Sequence, residues 1–216
     1  MAPPAQLALH GDRFWISPYV YSCFVALTEK GVPFDMVEVA LDRKEQHEPG
    51  FRDRSLTGRV PALRHGDFWL AESAAIVEYV DEAFAETGPA LLPAGRQDRA
   101  RARQVMGWIR SDLLALREER PTTTMFYAPT KKPLGPNAQV AADKLVRVAS
   151  QLVRDGRTTL FDAWSIADAD LAFMLHRLIL NGDPVPPALR AYAETTWQRP
   201  SVRAYVERER PTYVPY

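Results

Sequence analysis

The sequence predicts two domains, an α/β domain ordered β-α-β-α-β-β-α and an all-α domain after it, on three observations. Strand and hairpin signals are confined to the stretch before residue 72; a breaker-rich stretch with Gly88, Pro89, Pro93 and Gly95 follows; beyond it only helical periodicity remains. Residues 1–86, a linker at 87–97 and residues 98–216 are the expected divisions.

Gln6 to His10 is a short apolar run closed by His10-Gly11-Asp12, read as a strand and a turn. Ser17-Pro18 then opens a helix: serine suits the N-cap, proline suits the first helical position, and Val20, Phe24 and Leu27 recur at helical spacing up to Gly31. Phe34 to Leu41 reads as a second strand, and Arg43 to Ser55 as a polar, weakly helical segment. Val60 to Leu63 and Phe68 to Leu70, joined through Gly66-Asp67, make a hairpin. Glu72-Ser73 begins a helix with Ile76, Val77, Val80 and Phe84 facing inward.

In the second half, Gln97 to Glu119 reads as one helix with Val105, Trp108, Ile109, Leu113 and Leu116 inward. Asn137 to Asp155 follows with Val140, Leu145, Val148 and Leu152, then a long helix from Ser165 to Leu180. Shorter helices at Pro187 to Trp197 and Pro200 to Glu209 finish the pattern. Pro121 to Pro136, with Met125, Phe126 and Tyr127, is a connection long enough to suggest a function, as one wall of a pocket.

Composition narrows the function classes. The 216 residues are 46% hydrophobic and 25% charged, an ordinary globular composition. Lys plus Arg balances Asp plus Glu at 27 each, which argues against nucleic acid or an anionic membrane as partner. The Arg-rich stretch from Arg96 to Arg103 reads as a solvated or dimer-facing helix. No secretory signal or membrane-length apolar run is visible, so a cytoplasmic location is expected. Cys23 is the lone cysteine, expected in the core, and His10, His47, His65 and His176 lack ligand spacing; no protein-bound metal is expected.

Four short motifs stand out in order: Ser17-Pro18-Tyr19, Arg59-Val60-Pro61, Glu72-Ser73-Ala74-Ala75-Ile76 and Ser165-Ile166-Ala167-Asp168. With the domain order, they resemble the cytosolic glutathione transferases, especially bacterial serine-type members, over nearly the whole chain. The resemblance implies a thioredoxin-like N-terminal domain with a mixed sheet, glutathione as co-substrate, a small hydrophobic electrophile as second substrate, and a homodimer.

The resemblance also assigns roles. Only a thiolate attacks, and a thiol of pKa about 8.5 is a few per cent ionised at neutral pH. Lowering it by about two units requires about 2.7 kcal/mol of preference for the charged form. A hydroxyl at a helix N-terminus supplies such preference, and Ser17 is the expected donor, with Tyr19, Tyr21 and Ser22 as alternatives; its plain structural reading is an N-cap. Val60 precedes a proline expected to be cis and would pair with glutathione's cysteinyl unit. Ser73 would hold the γ-glutamyl carboxylate and Glu72 its ammonium group, against plain helix capping as the simpler reading. Arg59 and Lys44 are weaker candidates for the glycyl carboxylate. Ser165 and Asp168 form a capping box with a structural role.

The implied activity is addition of glutathione to an electrophile, extending to reduction of organic hydroperoxides. The alternative is a non-catalytic protein-association module of the same fold. Thiol–disulfide exchange would call for cysteine where Ser17 stands.

Overall fold

The computed structural model describes residues 7–153 and 156–216. Gln6, at the start of the expected first strand, and Arg154 and Asp155, at the end of an expected helix, lie outside the described residues. The chain divides into two compact units, one of residues up to Leu91 together with Glu207–Tyr216, the other Leu92–Val206.

The first unit is built on a four-stranded sheet: β1 (Leu7–Asp12), β2 (Asp35–Val39), β3 (Ala62–His65) and β4 (Phe68–Ala71), in the order β2-β1-β3-β4. β1 runs parallel to β2 and antiparallel to β3, and β3 antiparallel to β4, so the sheet is mixed. Gly66, at φ 60°, lets a two-residue turn join His65 to its partner Phe68.

Helix α1 (Pro18–Lys30) is buried almost all round from Val20 to Leu27 and ends on Gly31, whose φ of 63° suits a left-handed C-cap. It presses on β1 closely: a Cβ on Gly11 would come within 2.6 Å of a Val20 methyl. Helix α3 (Ser73–Ala83) contributes Ile76, Val77 and Val80 to the same core. A buried ion pair, Lys30 to Asp81 at 3.2 Å, ties the two helices, and Asp81 also accepts the Leu91 N–H at 2.8 Å.

Two sequence expectations change here. His10-Gly11-Asp12 is strand, not turn, because these residues pair with Val37 to Val39 of β2; the chain turns after Asp12. The weakly helical segment is two 3-10 turns, Leu41–Arg43 and Glu45–His47, and a single helical turn, α2 (Pro49–Arg52). Gly50 and its neighbours have no apolar stripe with which to extend it.

The second unit is helical: α4 (Arg96–Ser111), α5 (Leu114–Glu119), α6 (Thr123–Phe126), α7 (Pro136–Leu152), α8 (Ile166–Ile179), α9 (Pro187–Trp197) and α10 (Pro200–Val206). Its centre is α8, in which every residue from Ile166 to Leu178 is buried. Asp168 organises the entry to that helix. It accepts hydrogen bonds from the Ser165 N–H at 2.8 Å, the Ser165 hydroxyl at 3.1 Å, the Leu160 N–H at 2.7 Å and the Tyr192 hydroxyl at 2.9 Å. Burial pushes its carboxyl above the usual range, against the pull of those donors.

The helix expected over Gln97 to Glu119 is broken at Asp112-Leu113. Leu113 is left-handed at φ 61°, and the Asp112 carboxylate receives the Leu113 N–H at 2.7 Å, the Trp108 indole N–H at 3.0 Å and an ion pair from Lys144. On α7 the buried face is Ala138, Ala142, Leu145 and Ala149. Of the expected inward set only Leu145 is on it; Val140 is 69% exposed and Val148 and Leu152 are half-buried. Small residues allow close approach of neighbouring elements, and here they outcompete the larger side chains for the core.

The connection from Pro121 to Pro136 is held by named bonds. Arg120 grips Asp183 through two N–H groups at 2.6 and 2.7 Å, and Arg177 donates to the Arg120 carbonyl at 2.6 Å. The Asn181 side chain accepts from the Thr130 N–H, and Glu119 accepts from the Gly135 N–H, both at 2.8 Å. Among the described residues no helix is long and apolar enough to cross a membrane.

Candidate functional site

The registers of the sheet bring the motif residues of the first unit to one end. Ala62, first residue of β3, pairs with His10 on one side and Ala71 on the other. The carboxyl ends of β1 and β4 therefore flank the amino end of β3, and Asp12 pairs with Val39 at the carboxyl end of β2. Ser17 follows β1, Val60-Pro61 precedes β3, Glu72-Ser73 follows β4, and Lys44 follows β2. Residues far apart in sequence thus share one edge of the domain.

Ser17 is half-buried and caps α1: its Oγ accepts the Val20 N–H at 3.3 Å. The turn before it is tightly held. The Trp15 N–H donates to the Asp12 carbonyl at 3.0 Å, and the Asp12 carboxylate accepts N–H groups of Ile16 at 2.9 Å and Ser17 at 3.1 Å. Trp15 adopts φ 54°, a left-handed conformation that costs a tryptophan about 1–3 kcal/mol. Its indole N–H donates to Glu38 at 3.2 Å.

The Val60–Pro61 bond is cis, as the family resemblance implies. Val60 is half-buried and lies before the ladder, which begins at Ala62, while Arg59 is exposed. Glu72 is exposed at φ 67° and ψ 112°, strained for a residue with a side chain, and its carboxylate makes no cap bond to α3. Ser73 is buried as the first residue of α3, and the Cys23 thiol sits 3.7 Å from its carbonyl. Cys23 itself is fully buried in the core, and so are Tyr21 and Ser22; Tyr19 is half-buried. Lys44 is exposed and left-handed at φ 60°, between the two 3-10 turns.

Two helix N-termini, each with a serine, thus open at one end of the sheet, where the helix dipoles favour anionic groups. The arrangement suits a ligand with two negative centres. Beside it, His10 lies between the rings of Phe51 and Trp69, at 5.8 and 4.7 Å between centroids; burial, aided by the charge of Arg64, lowers its pKa to about 4. Among the described residues no group of three or more His, Cys, Asp or Glu is arranged to hold a metal ion.

Sequence reasoning missed Asp12, Trp15 and Glu38 as supports of this edge, and it missed Arg210, whose Nε donates to the Trp15 carbonyl at 3.1 Å. A carboxylate five residues before a helix N-cap was the legible signal for Asp12. Arg210 carries no local signal.

Comparison with known proteins bears on the same regions. Residues 16–83 match the family model described as glutathione S-transferase, N-terminal domain, and residues 95–209 that of the C-terminal domain. A glutathione transferase homologue from Burkholderia, crystallised with bound glutathione, is 42% identical; the match covers 94% of this chain and 97% of that one, with a TM-score of 0.78. The theta class glutathione S-transferase of Xanthomonas axonopodis pv. citri shares the fold at 23% identity and a TM-score of 0.74, over 95% and 99% of the two chains. Glutathione S-transferase U17 of Arabidopsis thaliana is 35% identical over 89 residues, 41% of this chain and 38% of that relative; the matched stretch is well under half of the curated relative's length.

Proposed function

The chain belongs to the glutathione S-transferase family, and on that footing we propose that it is a serine-type transferase that activates the glutathione thiol for attack on a hydrophobic electrophile. The observation that carries the reading is the convergence of Ser17, Val60 and Ser73 at one end of the sheet. Glutathione offers that edge a thiol, an extended backbone and a γ-glutamyl carboxylate.

In this reading residues 1–86 hold glutathione. Ser73, buried at the start of α3, receives the γ-glutamyl carboxylate, where the helix dipole and the first-turn N–H groups favour negative charge. Glu72 meets the ammonium group, and its strained backbone is the kind of conformation that function retains against stability. Val60, outside the β3 ladder, offers its backbone to the cysteinyl unit. Arg59 and Lys44, both exposed, are the cations for the glycyl carboxylate.

Ser17 donates its O–H to the sulfur, stabilises the thiolate and lowers its pKa; it is not the nucleophile. In conjugation the thiolate forms the carbon–sulfur bond and the leaving group departs with its electron pair. With an organic hydroperoxide, the thiolate cleaves the O–O bond, and a second glutathione releases oxidised glutathione, so two thiols yield one alcohol and one water. A homodimer in the cytosol is the expected form.

Replacement of Ser17 tests the reading. Ser17→Ala should keep most of the glutathione affinity, raise the pKa of the bound thiol followed by thiolate absorbance, and slow conjugation with an activated aryl halide. Ser17→Cys should lose conjugation and gain disulfide reduction, because a cysteine at a helix N-terminus ionises readily. Wild-type conjugation and titration in Ser17→Ala would move the role to Tyr19. No turnover with either an aryl halide or a hydroperoxide would leave the association module.

A further inference from the structure

The turn that presents Ser17 is held from both sides, and one side comes from the far end of the sequence. The peptide joining Trp15 to Ile16 has its N–H on the Asp12 carboxylate, at 2.9 Å, and its carbonyl on Arg210 Nε, at 3.1 Å. A trans peptide is planar with its N–H and C=O pointing in opposite directions, so fixing both ends fixes the plane. The next N–H, that of Ser17, lies on the other oxygen of Asp12 at 3.1 Å. The backbone of Ser17 is therefore set by a carboxylate beneath and a guanidinium above.

The segment that carries Arg210 is itself docked on the turn. The Arg208 guanidinium lies 3.8 Å from the centre of the Trp15 ring, and Arg210 also donates to the Arg208 carbonyl at 2.8 Å. Tyr213 meets Phe14 edge-on at 5.2 Å, and Tyr216 stacks over Phe14 at 6.0 Å and 9°. Phe14 is fully buried. Asp12, 1% exposed, has the charge of Arg210 to offset part of its burial, so the two ends of the clamp also attract each other. Trp15, left-handed and strained, is the residue that such a clamp would be needed to hold.

We propose that Arg210, acting with Asp12 across the Trp15–Ile16 peptide, is a positioning residue for Ser17: it holds the turn so that the Ser17 hydroxyl meets the glutathione sulfur. In this role Arg210 works through Ser17, and so this inference rests on the role assigned to Ser17 above.

Amide hydrogen exchange and thiolate titration in Arg210→Ala, Arg210→Lys, Ser17→Ala and the double variant Ser17→Ala with Arg210→Ala test it. Arg210→Ala should speed exchange at Ile16 and Ser17, raise the pKa of bound glutathione, and lower kcat with an activated aryl halide roughly tenfold, the scale of one hydrogen bond from a charged donor, with KM for glutathione little changed. Arg210→Lys, with a cation that reaches the same carbonyl, should restore part of the rate. In the Ser17→Ala background the change at Arg210 should slow turnover no further. Should Arg210→Ala not fold, Arg210→Gln carries the same expectations. Unchanged exchange at both amides, or rate losses at Ser17 and Arg210 that multiply, would overturn the proposal. A wild-type thiol titration in Ser17→Ala sinks the serine reading, and the exchange rates then decide the clamp alone.

Discussion

The entry to α8 in the second unit and the entry to α1 in the first are both built around an aspartate that collects N–H groups, yet they differ in strain. Asp168 gathers four donors around a helix whose backbone is regular throughout. Asp12 gathers the N–H groups of a turn in which Trp15 is left-handed. Of the five non-glycine residues with positive φ among those described, Trp15, Lys44, Leu56 and Glu72 belong to the first unit and Leu113 alone to the second. The helical unit spends its polar bonds on order; the first unit uses them to keep costly backbone at the end of a sheet where a ligand would sit. Damage to the one should read out in stability, and damage to the other in binding.

The largest expected effect is at Asp168. Asp168→Ala removes the buried acceptor of the Leu160 and Ser165 N–H groups and the shorter of two contacts of the Tyr192 hydroxyl, and should cost about 4 kcal/mol. Denaturant midpoints give the value. Glutathione affinity measured on the folded fraction should stay near wild type, and a loss of affinity without a loss of stability would erase the contrast between the two aspartates.

His176 is next. It is 2% exposed, stacked on Trp197 at 3.8 Å, and burial lowers its pKa to about 4 despite the Nδ1 contact with the Ala172 carbonyl. An unfolded histidine takes up its proton near pH 6.5, so the unfolded state binds more protons between the two values and stability falls as pH falls from about 6.5 towards 4. Asp12 and Asp168, raised by burial, have the opposite sign: they lose stability as pH rises through their folded pKa values. The histidine contribution should be about 2 kcal/mol between pH 7 and pH 5. Replacing it, in His176→Phe, should flatten the denaturant midpoint across that interval by this amount.

Effects in the first unit are smaller and appear elsewhere. Ser73→Ala should weaken glutathione binding by about 1–2 kcal/mol, the scale of one charge-assisted hydrogen bond, with little change in stability. Titration calorimetry decides, and unchanged affinity removes Ser73 from the site. The sharpest version of the contrast is Glu72→Gly. Glycine has no Cβ to strain at φ 67° but loses more entropy on folding, so the variant should keep its stability to within about 1 kcal/mol while binding glutathione less well. A variant that loses on both counts would show that the backbone at Glu72 is not strained for the ligand's sake.

What was legible in the sequence was what is local. Ser17-Pro18, the Gly31 stop, the Gly66-Asp67 turn and the Ser165–Asp168 box each act within a few residues, and each forms the expected cap or turn. The face of α7 was misread because both candidate faces carry apolar residues; which one is buried depends on how near the neighbouring helices lie, and four small or medium residues won over Val140. The break at Leu113 has no glycine or proline to announce it, only an aspartate able to take its N–H. Arg210 was invisible because it acts across a sequence separation of 195 residues.

That separation has a consequence in time. The residues that complete the first unit, Glu207–Tyr216, are made only after the whole of the second, residues 92–206. At a synthesis rate of roughly 5–20 residues per second the delay is on the order of ten seconds, far longer than a helix or hairpin needs to form. Throughout it Phe14 has neither tyrosine over it and the Trp15 carbonyl has no guanidinium. The edge that presents Ser17 is translated before residues 92–206 and finished only after them.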